Sequence, residues 1–499
     1  MAAERIDMHQ MPLKDRLKTS VISYGIRQFA VIILTFGYNI VLTRYLMPNE
    51  YGMVAVITIV LNISILLADG GFGVYLIQRS AEVTEHDLAR VTTIQLYAAS
   101  LITIICALGA GTATLFSPGQ RLGWMVAVAS LSLPLLVIRG MALLRLERSV
   151  MLDRVVRVEV LEECVYALTA VAFAANGAGP WSVVIAQLTR AVTGCVSALY
   201  LGRFRFKRTA VAWDDDLRKG FKFGFHYQAA QLINMARVSV IPLFIIPLLG
   251  FQAGGFVERA WYFCGAPLSI ILAIQKRALF PYVARIQFEI ERIRRFAEDS
   301  IYLSSVLDKF MFLPLLIFAR EIIMKVFGGQ WLPMLPLIYW ILAGNILFGA
   351  LSGTLYPMAN GIGKSELLSR FNFYNLLASW VLIVAGTLIF GIVGVGIASL
   401  VMWAGIHWLQ SKIMSQIGKF RYYRQTLKPL FAFLITWGCM ATLMQIIKIE
   451  DISLWGLASW IVFVMVLYGL IVIILDGKRL QNLFISFRET HKTPAAHTA

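Results

Sequence analysis

RFRFKRTAVAWDDDLRKGFKFGFHYQAAQLINMARVSVIPLFIIPLLG, residues 203–250, decides how the rest of the chain reads. A basic run (Arg203, Arg205, Lys207, Arg208) meets an acidic triplet (Asp214, Asp215, Asp216), then Arg218, Lys219 and Lys222. A long apolar helix follows that nonetheless carries Gln228, Gln231, Asn234 and Arg237. Spacing of three holds these four on one broad, slowly drifting side of a helix. Inside a bilayer such a stripe is expensive unless it faces a wet cavity or another helix. The N-terminal helix has a stripe of its own in Ser20, Tyr24, Arg27, Thr35 and Tyr38, at steps of three and four interrupted by Val31. The chain therefore reads as two halves, each opened by a polar-striped helix.

Composition agrees with a membrane setting. The 499 residues are 59% hydrophobic and 15% charged, where a soluble chain carries about a quarter charged residues. Apolar runs of about 20 residues recur from end to end, too long and too apolar for barrel strands. The fold class is an all-α polytopic membrane protein. Fourteen helices are expected, near 18–43, 51–73, 88–114, 121–145, 153–175, 180–201, 220–247, 255–280, 297–319, 333–356, 367–389, 391–413, 427–447 and 453–475. The first carries Arg27 and lacks a small-residue cleavage site, so it is expected to be a retained span and not a signal peptide. Three regions follow: 1–210 with helices 1–6, 211–423 with helices 7–12, and 424–499 with helices 13 and 14 and a tail.

Charge gives the orientation. Thirty-five of the 45 Lys and Arg fall on one set of alternate loops and helix ends, six on the other, and four (Arg27, Arg190, Arg237, Lys309) within spans. The positive-inside rule makes the first side cytoplasmic, with both termini there. The net charge of +17 is thereby accounted for without nucleic acid, for which no motif is present. Loops are short, so neither a soluble catalytic domain nor a large outer platform is expected. Cys106, Cys164, Cys195, Cys264 and Cys439 have no paired spacing and read as small core residues. No metal cluster or nucleophile constellation is visible, and no cofactor is expected.

Candidate site residues come from polar groups at depth. Arg27, Arg190 and Arg237 are candidate cations for an anionic substrate, because a planar guanidinium holds phosphate oxygens in pairs. Tyr24, Tyr38, Gln228, Gln231 and Asn234 could contact sugars. Asp69, in ADGGFGVYLIQR, is either a coupling group or a carboxylate among the N–H groups of a Gly-rich break. Glu159 and His226 are the other coupling candidates. Glu159, Glu162 and Glu163 read most simply as an interfacial cluster with Arg154 and Arg157, and Lys309, next to Asp308, as part of a local or interhelical ion pair. Prolines 134, 242, 247, 267 and 314 permit kinks.

Several stretches together resemble the Wzx-like polysaccharide transporter family of the MOP flippase superfamily. They are VLTRYLMPNEYGMVAV (41–56), DGGFGVYLIQR (69–79), LLRLERSVMLDRVVRVEVLEECVYALTAVAFAANGAGPWSVVIAQL (143–188), ALFPYVARIQ (278–287) and YPMANGIGKSELLSRFNFYNLL (356–377). The third is most similar to the colanic-acid-type branch. The resemblance implies two six-helix lobes in a V plus two C-terminal helices, alternating between inward- and outward-open states. It implies a bacterial inner-membrane flippase or exporter of undecaprenyl-pyrophosphate-linked oligosaccharide, working beside the polymerase and glycosyltransferases of its pathway. Family members commonly place Asn and Asp late in helix 7; Ser239 and Ile241 stand there here, which leaves the ion-coupling site unplaced. The competing readings are a drug or cation exporter of the same superfamily, a lipid II flippase, and a membrane glycan polymerase or ligase. The first would want intramembrane carboxylates, where the deep charges here are mostly positive. The last would want a large outer loop.

Overall fold

The computed structural model describes residues 31, 33–78, 84–116, 121–149, 151–202, 209, 214–286, 288–362, 365–415, 421–447 and 452–490. Those residues form helices and short turns, with no strand among them. Ten stretches are long and apolar enough to cross a membrane among the described residues. The expected segments from the second onward fall mainly on helical residues, the eleventh and twelfth as two arms of one run parted at Gly391 (φ 60°, ψ −138°); of the first, 18–30 and 32 lie outside the described residues.

The chain divides into two compact units, residues 1–242 and 243–499. The first contains α1 (33–45), α2 (Pro48–Asp69), α3 (Phe72–Gln78), α4 (Glu85–Phe116), α5 (Leu122–Ser130), α6 (Ser132–Arg148), α7 (Leu152–Ala175), α8 (Trp181–Gly202) and α9 (Asp215–Val238). Helix α2 starts with Pro48 in its first turn, while the Glu50 carboxylate accepts the Met47 N–H at 2.7 Å. It stops at Gly70 (φ 58°), the left-handed residue that lets the last carbonyls be capped. Gly177 and Gly179, both at positive φ, turn the chain between α7 and α8. Helix α8 then packs along α6 and α7.

Two apolar clusters hold this unit. Ile57, Leu61, Ala99, Met125, Leu133 and Val184 join α2, α4, α5, α6 and α8. Phe72, Leu76, Leu88, Met141, Leu144, Val158 and Leu217 bring in α3, α7 and the start of α9. Asp214 caps α9 by accepting the Leu217 N–H at 2.9 Å, and Arg90 on α4 grips the same carboxylate at 2.8 Å. That guanidinium, together with the capped N–H, holds the Asp214 carboxyl down at about 2. Helix α9, assigned from sequence to the second half, has its packing partners α2 and α3 in the first unit.

The second unit contains α10 (Ile246–Arg285), α11 (Ile290–Ile317), α12 (Ala319–Ile322), α13 (Leu335–Phe348), α14 (Ser352–Gly361), α15 (Ser365–Ser415), α16 (Tyr422–Ile447) and α17 (Leu454–Thr490). Helix α10 bends at Gly250 (φ 86°), next to a π-helical turn over Ile241–Ile245 that contains Pro242. Pro314 lies inside α11. The two C-terminal helices, α16 and α17, pack on α11 and on each other.

Candidate functional site

Within the first unit a cavity of about 320 Å³ opens among the middle turns of α1, α2, α6, α7 and α8. Its polar lining is Tyr38, Thr58, Asn62, Arg139, Glu162, Tyr166, Gln187 and Arg190, and its apolar lining includes Ile57, Leu61, Leu136 and Val184. The volume sits at the lower end of the roughly 300–1,000 Å³ common for small-ligand sites.

Four charges build the wall. Arg139 on α6 binds Glu162 on α7 through both ends of its fork, Nε to Oε2 at 2.6 Å and Nη2 to Oε1 at 2.5 Å. Arg190 on α8 places Nη2 3.1 Å from Glu163 Oε2 and 3.7 Å from Glu162 Oε1. Glu163 also accepts from the hydroxyls of Thr35 (3.0 Å) and Tyr38 (3.2 Å) on α1. The carboxylate side chains are 2% and 7% exposed, those of Arg139 and Arg190 20% and 35%. The acids are the more enclosed members of these pairs, and Arg139, Arg190 and Glu162 all line the cavity. Two carboxylates balance two guanidiniums, which is what makes four charges tolerable at this depth.

Aromatic rings complete the frame. Tyr38 and Tyr166 have centroids 5.3 Å apart, and the Arg190 guanidinium lies 5.7 Å from the Tyr166 ring, within cation–π range. Gly194, one turn beyond Arg190, leaves the room in which the Arg139–Glu162 pair lies: a Cβ there would meet Arg139 Cδ at 3.0 Å and run into the Glu162 carboxylate. The wall is thus a fixed set of guanidinium N–H donors flanked by a phenol and an amide. Such a set can hold an anionic oxygen beside a sugar hydroxyl.

The structure brings two of the sequence-read residues, Arg190 and Tyr38, into this site. Gln228 lies elsewhere: it is buried, and its amide donates to Asp69 Oδ2 at 3.3 Å. Asp69 also accepts the Gly71 N–H (3.1 Å) and the Gln95 amide (3.0 Å) at the α2–α3 break. Gln231, one step of three further along α9, is exposed and donates to the Tyr227 hydroxyl at 3.1 Å. Glu159 is half-buried one turn before the paired glutamates. Tyr24 and Arg27 lie outside the described residues, as do the side chains of His226, Asn234 and Arg237 on α9.

Two corrections follow. Arg139, counted from sequence with the cytoplasmic charges, is held inside the bundle by Glu162. Glu162 and Glu163 are not an interfacial cluster with Arg154 and Arg157: Arg154 donates to the Leu201 carbonyl at 3.0 Å, and Arg157 pairs with Asp153. The signal for Arg139 was present, since LPLLVIRGMALL is apolar on both sides of it. An arginine so placed needs an acid on a neighbouring helix.

An all-helical bundle with repeated apolar spans, and a polar cavity among their middle turns, defines a multi-pass membrane protein of transporter architecture. The family model described as polysaccharide biosynthesis protein matches residues 41–336. The chain belongs to that family, and the likeness to Wzx-like flippases of the MOP superfamily read from its residues holds. It is 22% identical over 405 residues to an uncharacterized membrane protein in the cps region of Klebsiella pneumoniae, covering 79% of this chain and 81% of the relative. It is 23% identical over 378 residues to the succinoglycan biosynthesis transport protein ExoT of Rhizobium meliloti (strain 1021), covering 74% of each. Among solved structures, the lipid II flippase MurJ in an inward closed conformation superposes with a TM-score of 0.71 at 12% identity, over 93% of this chain and all of that one. That likeness is one of fold.

Proposed function

We propose that this protein is a flippase that carries a polyprenyl-pyrophosphate-linked oligosaccharide across the cytoplasmic membrane for surface or secreted polysaccharide, by alternating access and without a covalent step. The observation that carries the reading is the cavity lined by Arg139 and Arg190 beside Tyr38, Tyr166 and Gln187. A pyrophosphate crossing the apolar core needs its charge met by fixed donors, and arginine meets phosphate oxygens in pairs. The family and the transport role named for ExoT support the same assignment.

The remaining details belong to this proposal. The chain crosses a bacterial inner membrane fourteen times with both termini cytoplasmic; the charge bias supports this, with Arg139 moved to the spans. The two halves act as separate lobes, and the carrier lipid is undecaprenyl. Arg27 and Arg237 add cationic charge along the path, and the polymerase and glycosyltransferases of the pathway are the working partners. The test is deletion. Loss of one polysaccharide, with its lipid-linked repeat unit accumulating on the cytoplasmic leaflet, is expected. Unchanged polysaccharide with altered drug sensitivity would overturn the assignment in favour of drug extrusion.

A further inference from the structure

The second unit holds a group that the cavity does not use. Asp308 on α11 is 1% exposed, and neither of its carboxylate oxygens has a hydrogen-bond partner among the described residues. The adjacent Lys309, 2% exposed, turns its ammonium to Ser305 Oγ at 2.9 Å and not to Asp308. The expected Asp308–Lys309 pairing is thus an attraction between neighbouring charges without a direct hydrogen bond. The Gly349–Leu351 turn lies close by: a Cβ on Gly349 would be in ordinary contact, 3.5 Å, with Asp308 Oδ2.

Two tyrosines on the helices packed against α11, Tyr422 of α16 and Tyr468 of α17, lie within electrostatic reach of it. Tyr302 on α11, Tyr422 on α16 and Tyr468 on α17 are buried; Tyr302 lies beside Asp476, and the hydroxyls of Tyr422 and Tyr468 have no partner among the described residues. His407 on α15 is 4% exposed, with both ring nitrogens unpartnered, and its ring lies 4.1 Å from Tyr422. The charges further out are already engaged: Asp476 with Lys428 at 2.6 Å, and Arg479 with Asp299 at 3.3 Å while stacking 4.0 Å over Tyr302. On α13 the Asn345 amide donates to the Cys264 carbonyl at 3.3 Å; on α10 Gln275 donates to Ser304 of α11.

An ionised carboxylate with no donor in so dry a place costs several kcal/mol. A carboxylic acid carries no charge to solvate. We propose that Asp308 is a proton-binding site of the second unit, holding its proton in this sealed packing and releasing it when α11, α16 and α17 part to admit water. The step is a bare proton exchange between water and a carboxylate oxygen, and no other bond changes. A bound metal cation would need several oxygens converging on it, and among the described residues no group of three or more His, Cys, Asp or Glu side chains is placed to hold one. Its role as the coupling site rests on the flippase reading; its proton does not.

The test separates the two. Infrared spectra of the purified full chain, recorded across pH without cargo, should show a buried carboxylic-acid carbonyl band that shifts in heavy water. Asp308→Asn should remove that band, and Tyr422→Phe should keep it while moving its titration. A band unaffected by Asp308→Asn, or one abolished by sodium at constant pH, would overturn the site. In vesicles with an imposed pH gradient, Asp308→Asn should lose the gradient's acceleration of lipid-linked oligosaccharide flipping and keep the rate measured without a gradient. Undiminished acceleration would overturn the coupling role.

Discussion

Arg139 and Glu162 meet fork to fork across α6 and α7, at 2.6 and 2.5 Å, with Glu162 almost fully enclosed. Removing one member leaves the other's charge buried and uncompensated, at a cost of about 3–5 kcal/mol; replacing both with apolar groups is close to neutral. Glu162→Gln should therefore lower the melting point of the purified protein sharply, while the Arg139→Met, Glu162→Leu double variant should recover most of it. Equal losses in the two would show that the pair does not carry the packing here.

Gly194 makes a narrower test of the same geometry. An added methyl must displace the Arg139 side chain and the Glu162 carboxylate, and overpacking of this kind costs about 1–3 kcal/mol. Gly194→Ala should destabilise the protein by that amount. In the Arg139→Met, Glu162→Leu background the same change should cost less, which a melting comparison resolves.

At the other end of the unit, Gly71 has φ 74°, and a Cβ on it would come within 2.5 Å of Gly224 Cα. Helix α9 reaches Asp69 through Gln228 because two glycines allow this approach. Gly71→Ala should cost about 1–3 kcal/mol in backbone strain alone and open α9 to limited proteolysis. Gln228→Leu should loosen the contact less. Wild-type cleavage rates in Gly71→Ala would contradict the packing.

Asp214 supplies a pH prediction. Arg90 and the capped N–H hold its carboxyl at about 2, below the ordinary value of 3.8. A lowered folded value contributes stability that is full above about 3.8 and is lost as the pH falls toward 2. Protection of the start of α9 in hydrogen exchange should therefore be flat from neutral pH down to about 4 and fall below it. Asp214→Asn should abolish that fall; an unchanged fall would assign it to another group.

Arg190 tests the cavity in transport. Losing a charged hydrogen bond costs about 1.5–3 kcal/mol, so Arg190→Ala should cut export per molecule by roughly ten- to a hundredfold. Arg190→Lys keeps the charge without the fork and should retain part of the activity. Reduced abundance with normal export per molecule would show a structural arginine instead.

The fold was legible because apolar length and loop charge are local. Gly391 and the Asn176–Pro180 turn could be placed by inspection, and the structure puts left-handed glycines at both. The site was less legible because its pairs join different helices. Arg139 and Glu162 are 23 residues apart, and no periodicity links them. Arg139 also stands close to Arg145 and Arg148 in the last turn of α6, which disguised it as one of the helix-end charges. The α9 stripe misled for a geometric reason. Each step of three falls about 60° short of a full turn, so buried Gln228 and exposed Gln231 face different surroundings.

The central claim is that the chain moves a lipid-linked oligosaccharide between leaflets. The direct measurement reconstitutes the purified protein in vesicles carrying that lipid, labelled in its glycan, and follows exposure of the glycan to a membrane-impermeant sugar-modifying reagent. Wild-type protein should expose the inner-leaflet pool in minutes, while Arg190→Ala of equal abundance leaves it protected. Equal exposure in protein-free vesicles, or in the variant and the wild type alike, would contradict the account.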